Sequence, residues 1–217
     1  MSEERGVRAQ GRTARRTRRG AWLAILGPDG SGKSSVLDGV EREIGDRFAD
    51  VHRYHLRPHG GRRYRPSSPV TAPHAQPPRG GMASTATLAW WWVDYWTGYW
   101  GVVRPAVRAG ALVLFDRYLD DLIVDPLRYR YDGPERVVEI LARTVPRPDA
   151  LVVLDAPVEV LRRRKQEVGV AELARQREQY RRLAEVAPEG RYVNAAHPLQ
   201  EVVSTVCAIV GEVEGSP

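Results

Sequence analysis

The sequence predicts an α/β fold, a parallel sheet with helices on both faces, and three observations carry that prediction. Short uninterrupted apolar runs recur at Trp22–Leu26, Ala111–Phe115 and Ala150–Leu154, and strands apolar on both faces belong to sheets covered on both sides. Segments of helical periodicity lie between them, and strand–helix alternation builds parallel crossover units. The third observation is the stretch Gly27-Pro28-Asp29-Gly30-Ser31-Gly32-Lys33-Ser34, placed between the first apolar run and the first helical pattern.

That stretch has the spacing G-x-x-x-x-G-K-[ST] of a P-loop. Val36, Leu37, Val40 and Ile44 continue it at helical spacing. Its glycines let successive backbone N–H groups curl around a polyphosphate, and the helix N-terminus adds partial positive charge. Gly27, Asp29, Gly30, Ser31, Gly32, Lys33, Ser34 and Ser35 are therefore the expected triphosphate-binding set. Lys33 is expected to reach the β- and γ-phosphates, and the Ser34 hydroxyl to hold Mg²⁺. A Gly-rich turn with a chance Lys-Ser is the alternative, and the strand before and helix after argue against it.

Val51–Leu56 reads as a second strand. Between Pro58 and Pro78 fall six of the sixteen prolines, so no regular element is expected there. A long acceptor-side loop over residues 58–82 is the expectation. His52, His55 and His59 have no Cys or acidic companion, and strand alternation would separate them, so no metal site is read from them. A helix from Ser84 to about Trp100 carries five of the six tryptophans. Its periodicity places Leu88, Trp92, Tyr95, Trp96 and Tyr99 on a core face, with Asp94 nearly opposite, flanked by Trp90 and Trp91. Aromatic planes beside a carboxylate suit a sugar or an amine.

The Ala111–Phe115 strand delivers Asp116-Arg117-Tyr118 at its C-terminal end, where ligands of open α/β sheets bind. Asp116 can serve Mg²⁺ or take a proton from an acceptor hydroxyl, and Arg117 can neutralise a transferring phosphoryl group. Asp120, Asp121 and Asp125 follow, the last two one helical turn apart and expected to project together. Pro134 to about Arg143 is a helix and Ala150–Asp155 a fourth strand. A helix opened by Pro157 ends in Arg162-Arg163-Arg164-Lys165, read as a mobile lid over residues 162–178 that closes on the triphosphate. A helix from Glu172 to Ala187, a fifth strand at Arg191–Val193, a loop from Asn194 to Pro198 and a helix from Leu199 to Val213 complete the chain.

The charge of +6 sits mostly in residues 1–20, where seven arginines face only Glu3 and Glu4. The rest is nearly neutral, so the basicity marks a disordered tail before a single domain at 21–217. Nucleic acid is an unlikely partner on this reading, and no stretch approaches the apolar length of a membrane span. Cys207 is the only cysteine, which excludes an internal disulfide and fits a reducing compartment. A soluble cytoplasmic protein is expected.

From about Trp22 to the last helix the residues resemble the thymidylate kinase-like family of P-loop phosphotransferases. The resemblance rests on Gly27–Ser35, on Phe115-Asp116-Arg117-Tyr118, on Leu154–Val160, and on the lid arginines with the helix after them. It implies the P-loop NTPase three-layer sandwich with a five-stranded sheet, ATP with Mg²⁺ as donor, and transfer of the γ-phosphoryl group. It also implies catalytic arginines from the lid, here Arg162 to Arg164, and an adenine pocket from Arg164 and the loop holding Ala195 and Pro198. Where the family has Arg-Glu-Pro-Gly-Gly, this chain has Arg57-Pro58-His59-Gly60-Gly61. Where the family's acceptor helix carries an aromatic and then an arginine that clamps phosphate, the counterparts are Trp90 and Asp94. A dianionic acceptor near unpaired carboxylates is disfavoured.

The sequence reading is therefore a kinase with Lys33, Asp116, Arg117, Arg162 and Arg164 as catalytic residues and Ser34 and Asp116 at the metal. The small-molecule acceptor, bound by Arg57, Trp90, Trp91, Asp94, Asp121 and Asp125, is expected to be an amino sugar, aminocyclitol or aminoglycoside. The alternatives are a divergent thymidylate kinase and a nucleotide-binding switch or ATPase with a nucleic-acid-binding tail. Aromatics around Trp96 and Trp100 are compatible with a homodimer.

Overall fold

In a computed structural model, five strands form one all-parallel sheet in the order β2-β3-β1-β4-β5. The strands are β1 (Ala21–Leu26), β2 (Val51–His55), β3 (Leu112–Asp116), β4 (Ala150–Asp155) and β5 (Gly190–Asn194). The structure describes residues 19–58, 80–166 and 168–214, without the side chain of Met82. Residues 1–18 of the expected tail and 59–79 of the expected acceptor-side loop lie outside the described residues.

Strand alternation divides the core in two. Leu23, Ile25, Leu112, Leu114, Val152 and Leu154 point to one face. There they meet α1 (Lys33–Ile44) and α8 (Leu199–Val213). Ala24, Leu26, Val113, Phe115, Leu151 and Val153 point to the other. That face is covered by α2 (Gly81–Gly98), α3 (Arg104–Arg108), α5 (Glu135–Thr144) and α7 (Val170–Val186). Two apolar faces per strand explain why the central strands read as unbroken apolar runs.

The helical arm that began in the sequence near Ser84 is longer than expected. A π turn at Tyr99–Val103 joins α2 to α3, just before Pro105, which has no N–H to donate. Its core stripe is Ser84, Leu88, Tyr95 and Val103, with Trp91 and Tyr99 packed alongside. The expected core residue Trp92 is instead exposed and donates from Nε1 to Thr144 Oγ1 at 3.0 Å. The remaining elements are the single-turn helix α4 (Asp121–Val124) and α6 (Val158–Arg164). No helix among the described residues is long and apolar enough to cross a membrane.

The sheet order puts β1 between β3 and β4, so the chain turns to opposite sides of β1. The crevice beyond the carboxyl ends of these three strands is where such sheets hold ligands. It receives the Gly27–Ser34 loop from β1, Asp116-Arg117 from β3 and Asp155 from β4.

Candidate active site

The loop after β1 has the form a polyphosphate requires. Gly32 caps α1 at φ 87°, with no side chain capping the helix. A Cβ at Gly32 would meet nothing within 4 Å, so it is the left-handed φ and not crowding that calls for glycine there. Gly27 is different: a Cβ there would lie 2.2 Å from the Leu154 carbonyl oxygen of β4, so only glycine lets the two strands' ends approach. Lys33 Nζ donates to the carbonyls of Gly27 at 2.7 Å and Pro28 at 2.9 Å and to Ser31 Oγ at 3.4 Å. These bonds hold the ammonium inside the loop. Ser34 and Ser35 are exposed at the start of α1.

Burial, reinforced by repulsion from Arg117, pushes the Lys33 ammonium down to about 7. A bound triphosphate restores the charged form, so the bound pKa lies above the free one. Binding is then tightest below pH 7 and weakens by at most about tenfold per pH unit as pH rises through that value. Titration calorimetry of an ATP analogue at pH 8 in buffers of different ionisation enthalpy should show proton uptake. A Lys33→Met variant should lose that uptake.

Asp116 is 7% exposed at the end of β3, and no side chain among the described residues bonds to it. It faces Lys33 and His55 electrostatically, and burial beside Arg117 and Arg128 lowers the His55 imidazole. Arg117, next in the chain, has φ 72°, a left-handed conformation that costs a non-glycine residue about 1 kcal/mol. The turn throws its side chain between two carboxylates: Nη2 donates to Asp29 at 2.8 Å and Nη1 to Asp121 at 2.6 Å. Asp121 also accepts from the hydroxyls of Tyr129 and Tyr180 and is 0% exposed. These donors hold its carboxyl below the usual carboxylate range despite burial.

Asp121 thus accepts from Arg117, Tyr129 and Tyr180, where the sequence reading had it facing the acceptor. It is the hub that fixes Arg117 and ties α7 to the site. Asp125 does not project beside it, because α4 ends at Val124. Asp125 accepts instead from the backbone N–H of Arg128 at 3.2 Å and from its Nε at 3.1 Å. Asp120 is held by Arg147 at 2.8 Å. Asp94 is mostly buried, not outward-facing, and accepts from Arg57 Nη1 at 3.0 Å. The Arg57 guanidinium lies 4.9 Å over the Trp91 ring, and Trp91 meets the Tyr129 ring edge-on. Trp90, expected to flank the acceptor, is 64% exposed and takes no part in this layer. Each acid that suggested an amine-bearing acceptor is thus neutralised by an arginine. The inference to an amino sugar or aminoglycoside falls with them.

On the donor side Arg164 Nη1 donates to the Ala195 carbonyl at 3.0 Å, joining the arginine run to the loop before Pro198. Arg162 and Arg163 are exposed. Within the expected lid over 162–178, the part that lies in α7 is tied to the body of the domain. Arg177 donates to Asp155 at 2.7 Å and Arg181 to the same carboxylate at 3.0 Å, while Tyr180 is buried on Asp121. Asp155→Ala should therefore loosen α7: removing a fully buried carboxylate shared by two arginines costs about 3 kcal/mol. Thermal unfolding is the measurement, and proteolysis should open first within α7.

Three contributors were given no role in the sequence reading, Arg128, Tyr129 and Tyr180, and Lys165 was read only as part of the lid. Arg128 Nη2 donates to Asp29, and Lys165 Nζ stands 3.6 Å from the same carboxylate. The spacing of Arg128 three residues after Asp125 was a local signal for an ion pair. Nothing local pointed to Asp29, and its carboxyl is held far below the usual range by Lys33, Arg117, Arg128 and Lys165. A separate cleft of about 610 Å³ lies between α5 and α7 and touches none of Lys33, Asp116 or Arg117.

No protein-family model matches the chain. Among curated proteins it is 30% identical over 211 residues to the thymidylate kinase of Pseudomonas putida, covering 88% of this chain and 95% of that one. It is 28% identical over 206 residues to a protein of Pyrobaculum aerophilum named "probable thymidylate kinase", covering 89% and 97%. The thymidylate kinase of Limosilactobacillus fermentum is 29% identical over 153 residues, a match spanning 64% of this chain and 65% of that enzyme.

Proposed function

Because the chain belongs to the thymidylate kinase family of P-loop kinases, we propose that it transfers the γ-phosphoryl group of ATP to the phosphate of dTMP, giving dTDP and ADP. The observation that carries this reading is the pairing of the acceptor-side acids. Asp94, Asp121 and Asp125 are paired with Arg57, Arg117 and Arg128, so these three acids do not stand unpaired against an anionic acceptor.

An acceptor phosphate brings its own ionised oxygen to the reaction, since its second pKa is near 6. Proton abstraction by Asp116 is then unnecessary, and Asp116 is left with the metal. The exposed Ser34 hydroxyl and the unbonded Asp116 carboxylate are donors of the kind Mg²⁺ accepts. When bound, Mg²⁺ supplies charge neutralisation at the β- and γ-phosphates. Lys33 and Arg117 stabilise the charge that spreads over the transferring group, with Arg162 and Arg164 contributed by the last turn of α6. Arg164 and the Ala195–Pro198 loop hold the adenine, and Arg57 with Trp91 borders the acceptor.

The test is ADP release with a panel of acceptors: dTMP, other nucleoside monophosphates, thymidine and amino sugars. Turnover of dTMP ahead of the others is expected. Efficient use of an amino sugar with no turnover of dTMP would overturn the proposal.

A further inference from the structure

His55 is the last residue of β2 and lies in register with Asp116, the last residue of β3. Neighbouring strands run about 4.8 Å apart, and register partners turn their side chains to the same face. The Leu56 N–H donates to the Asp116 carbonyl at 2.9 Å and ties the two strand ends together. Each of the paired residues is followed by a left-handed one, Leu56 at φ 62° and Arg117 at φ 72°. Disfavoured conformations repeated at one register position of adjacent strands mark a place where geometry is held for use. Of the charges that His55 meets, Asp116 acts on it most strongly, ahead of Arg117, Asp121 and Arg128.

The third member of the group comes from α1, and Arg53 fixes its level. Arg53 shares a face of β2 with His55 and pairs with Asp38 and, at 3.6 Å, with Glu41. Two strand residues rise about 6.6 Å and four helix residues about 6 Å. Because α1 runs back from the crevice, the residue level with His55 stands one helical turn before Asp38, which is Ser34. His52 has the opposite parity and lies instead beside the Tyr54 hydroxyl, at 3.4 Å. The half-buried His55 imidazole therefore borders the exposed Ser34 hydroxyl and the Asp116 carboxylate.

Mg²⁺ takes oxygen ligands and keeps several of its waters, so an imidazole at the edge of its site acts on a water and not on the ion. We infer that His55 is a positioning residue for the donor's Mg²⁺, its ring nitrogen accepting a hydrogen bond from a water of the ion's hydration shell. This rests on the reading of Ser34 and Asp116 as the metal's residues and is independent of the acceptor. With Ser34 from α1, Asp116 from β3 and His55 from β2, three elements then orient the ion against the β- and γ-phosphates.

The experiment measures calorimetrically the binding of AMP-PNP, a non-hydrolysable ATP analogue, with Mg²⁺ and in EDTA, with no acceptor present. The ratio of the two dissociation constants reports how strongly metal and nucleotide are coupled. Loss of an outer partner predicts that His55→Ala lowers this ratio by about 10-fold or more. Its dissociation constant in EDTA should stay within about twofold of the unaltered protein's. His55→Gln, whose carbonyl oxygen can accept from the same water, should recover part of the ratio. An unchanged ratio in H55A overturns the inference. So does equal weakening with and without Mg²⁺, which a structural role or a direct phosphate contact would produce. Asp116→Asn separates the two readings. If D116N lowers the ratio and H55A does not, the metal site stands and the role of His55 alone falls; if neither lowers it, both fall.

Discussion

Replacing Lys33 by Met lowers kcat by about 10³-fold, the scale of removing a cation aimed at the transferring phosphoryl group. The variant is expected to fold. The buried ammonium is held near its uncharged form, with a pKa of about 7, so exchanging it for an apolar side chain of similar length relieves a desolvation cost. Against that stand the bonds to Gly27 and Pro28 that the variant gives up. The melting temperature should therefore move by only a few degrees while turnover collapses. Steady-state kinetics with thermal unfolding on the same preparation checks both. A variant that retains kcat would remove Lys33 from the chemistry.

Replacing Asp121 by Ala produces the opposite division, with stability lost first. Its carboxylate is fully buried and accepts from Arg117, Tyr129 and Tyr180. Removing it strips a buried guanidinium of one partner and leaves two buried hydroxyls without theirs, at a cost of about 3–5 kcal/mol. For a domain of this size that is about 10 °C in melting temperature. The pH dependence has a definite sign. Arg117 and the two tyrosines hold the Asp121 carboxyl below its ordinary value, so its stabilisation is complete above the unfolded pKa of about 4. It is lost as pH falls through the folded value, so Asp121→Asn should flatten the acid limb of a stability profile below pH 4. Were Asp121 instead an acceptor ligand, D121N would raise an acceptor KM and leave urea unfolding unchanged.

The two sides of the crevice were unequally legible. The phosphate loop and its flanking strand and helix are contiguous, and glycine, lysine and serine at fixed spacing have one physical use there. Asp116-Arg117 could be placed because a strand end lies in the crevice of any such sheet. The phase of α2 was read only in part: Leu88, Tyr95 and Tyr99 do face the core, but apolar residues surround the helix and no polar face fixes its orientation. Trp91, Tyr95 and Tyr99 were chosen over Trp92 and Trp96 by what the sheet presents: Trp22, Phe115 and Tyr118. That choice turned Asp94 inward to Arg57.

Counting charges along the chain likewise failed, because it shows acids without showing what faces them. Three carboxylates within a few residues of Tyr118 read as an anionic acceptor site. Their partners arrive from elsewhere: Arg147 reaches Asp120 across 27 residues, and Tyr180 reaches Asp121 across 59. Arg128 lies three residues from Asp125, but its second partner, Asp29, is 99 residues away.

Fold class and the form of the Gly27–Ser34 loop were thus settled by residues that act locally, through hydrogen-bonding patterns that neighbouring positions complete among themselves. The pairing of the acids expected on the acceptor side was decided by packing. A buried carboxylate must find a cation. Arg117 and Arg128 lie four and three residues from Asp121 and Asp125. Arg57, Arg147 and Arg177 reach Asp94, Asp120 and Asp155 only through tertiary packing, which no short stretch of sequence encodes.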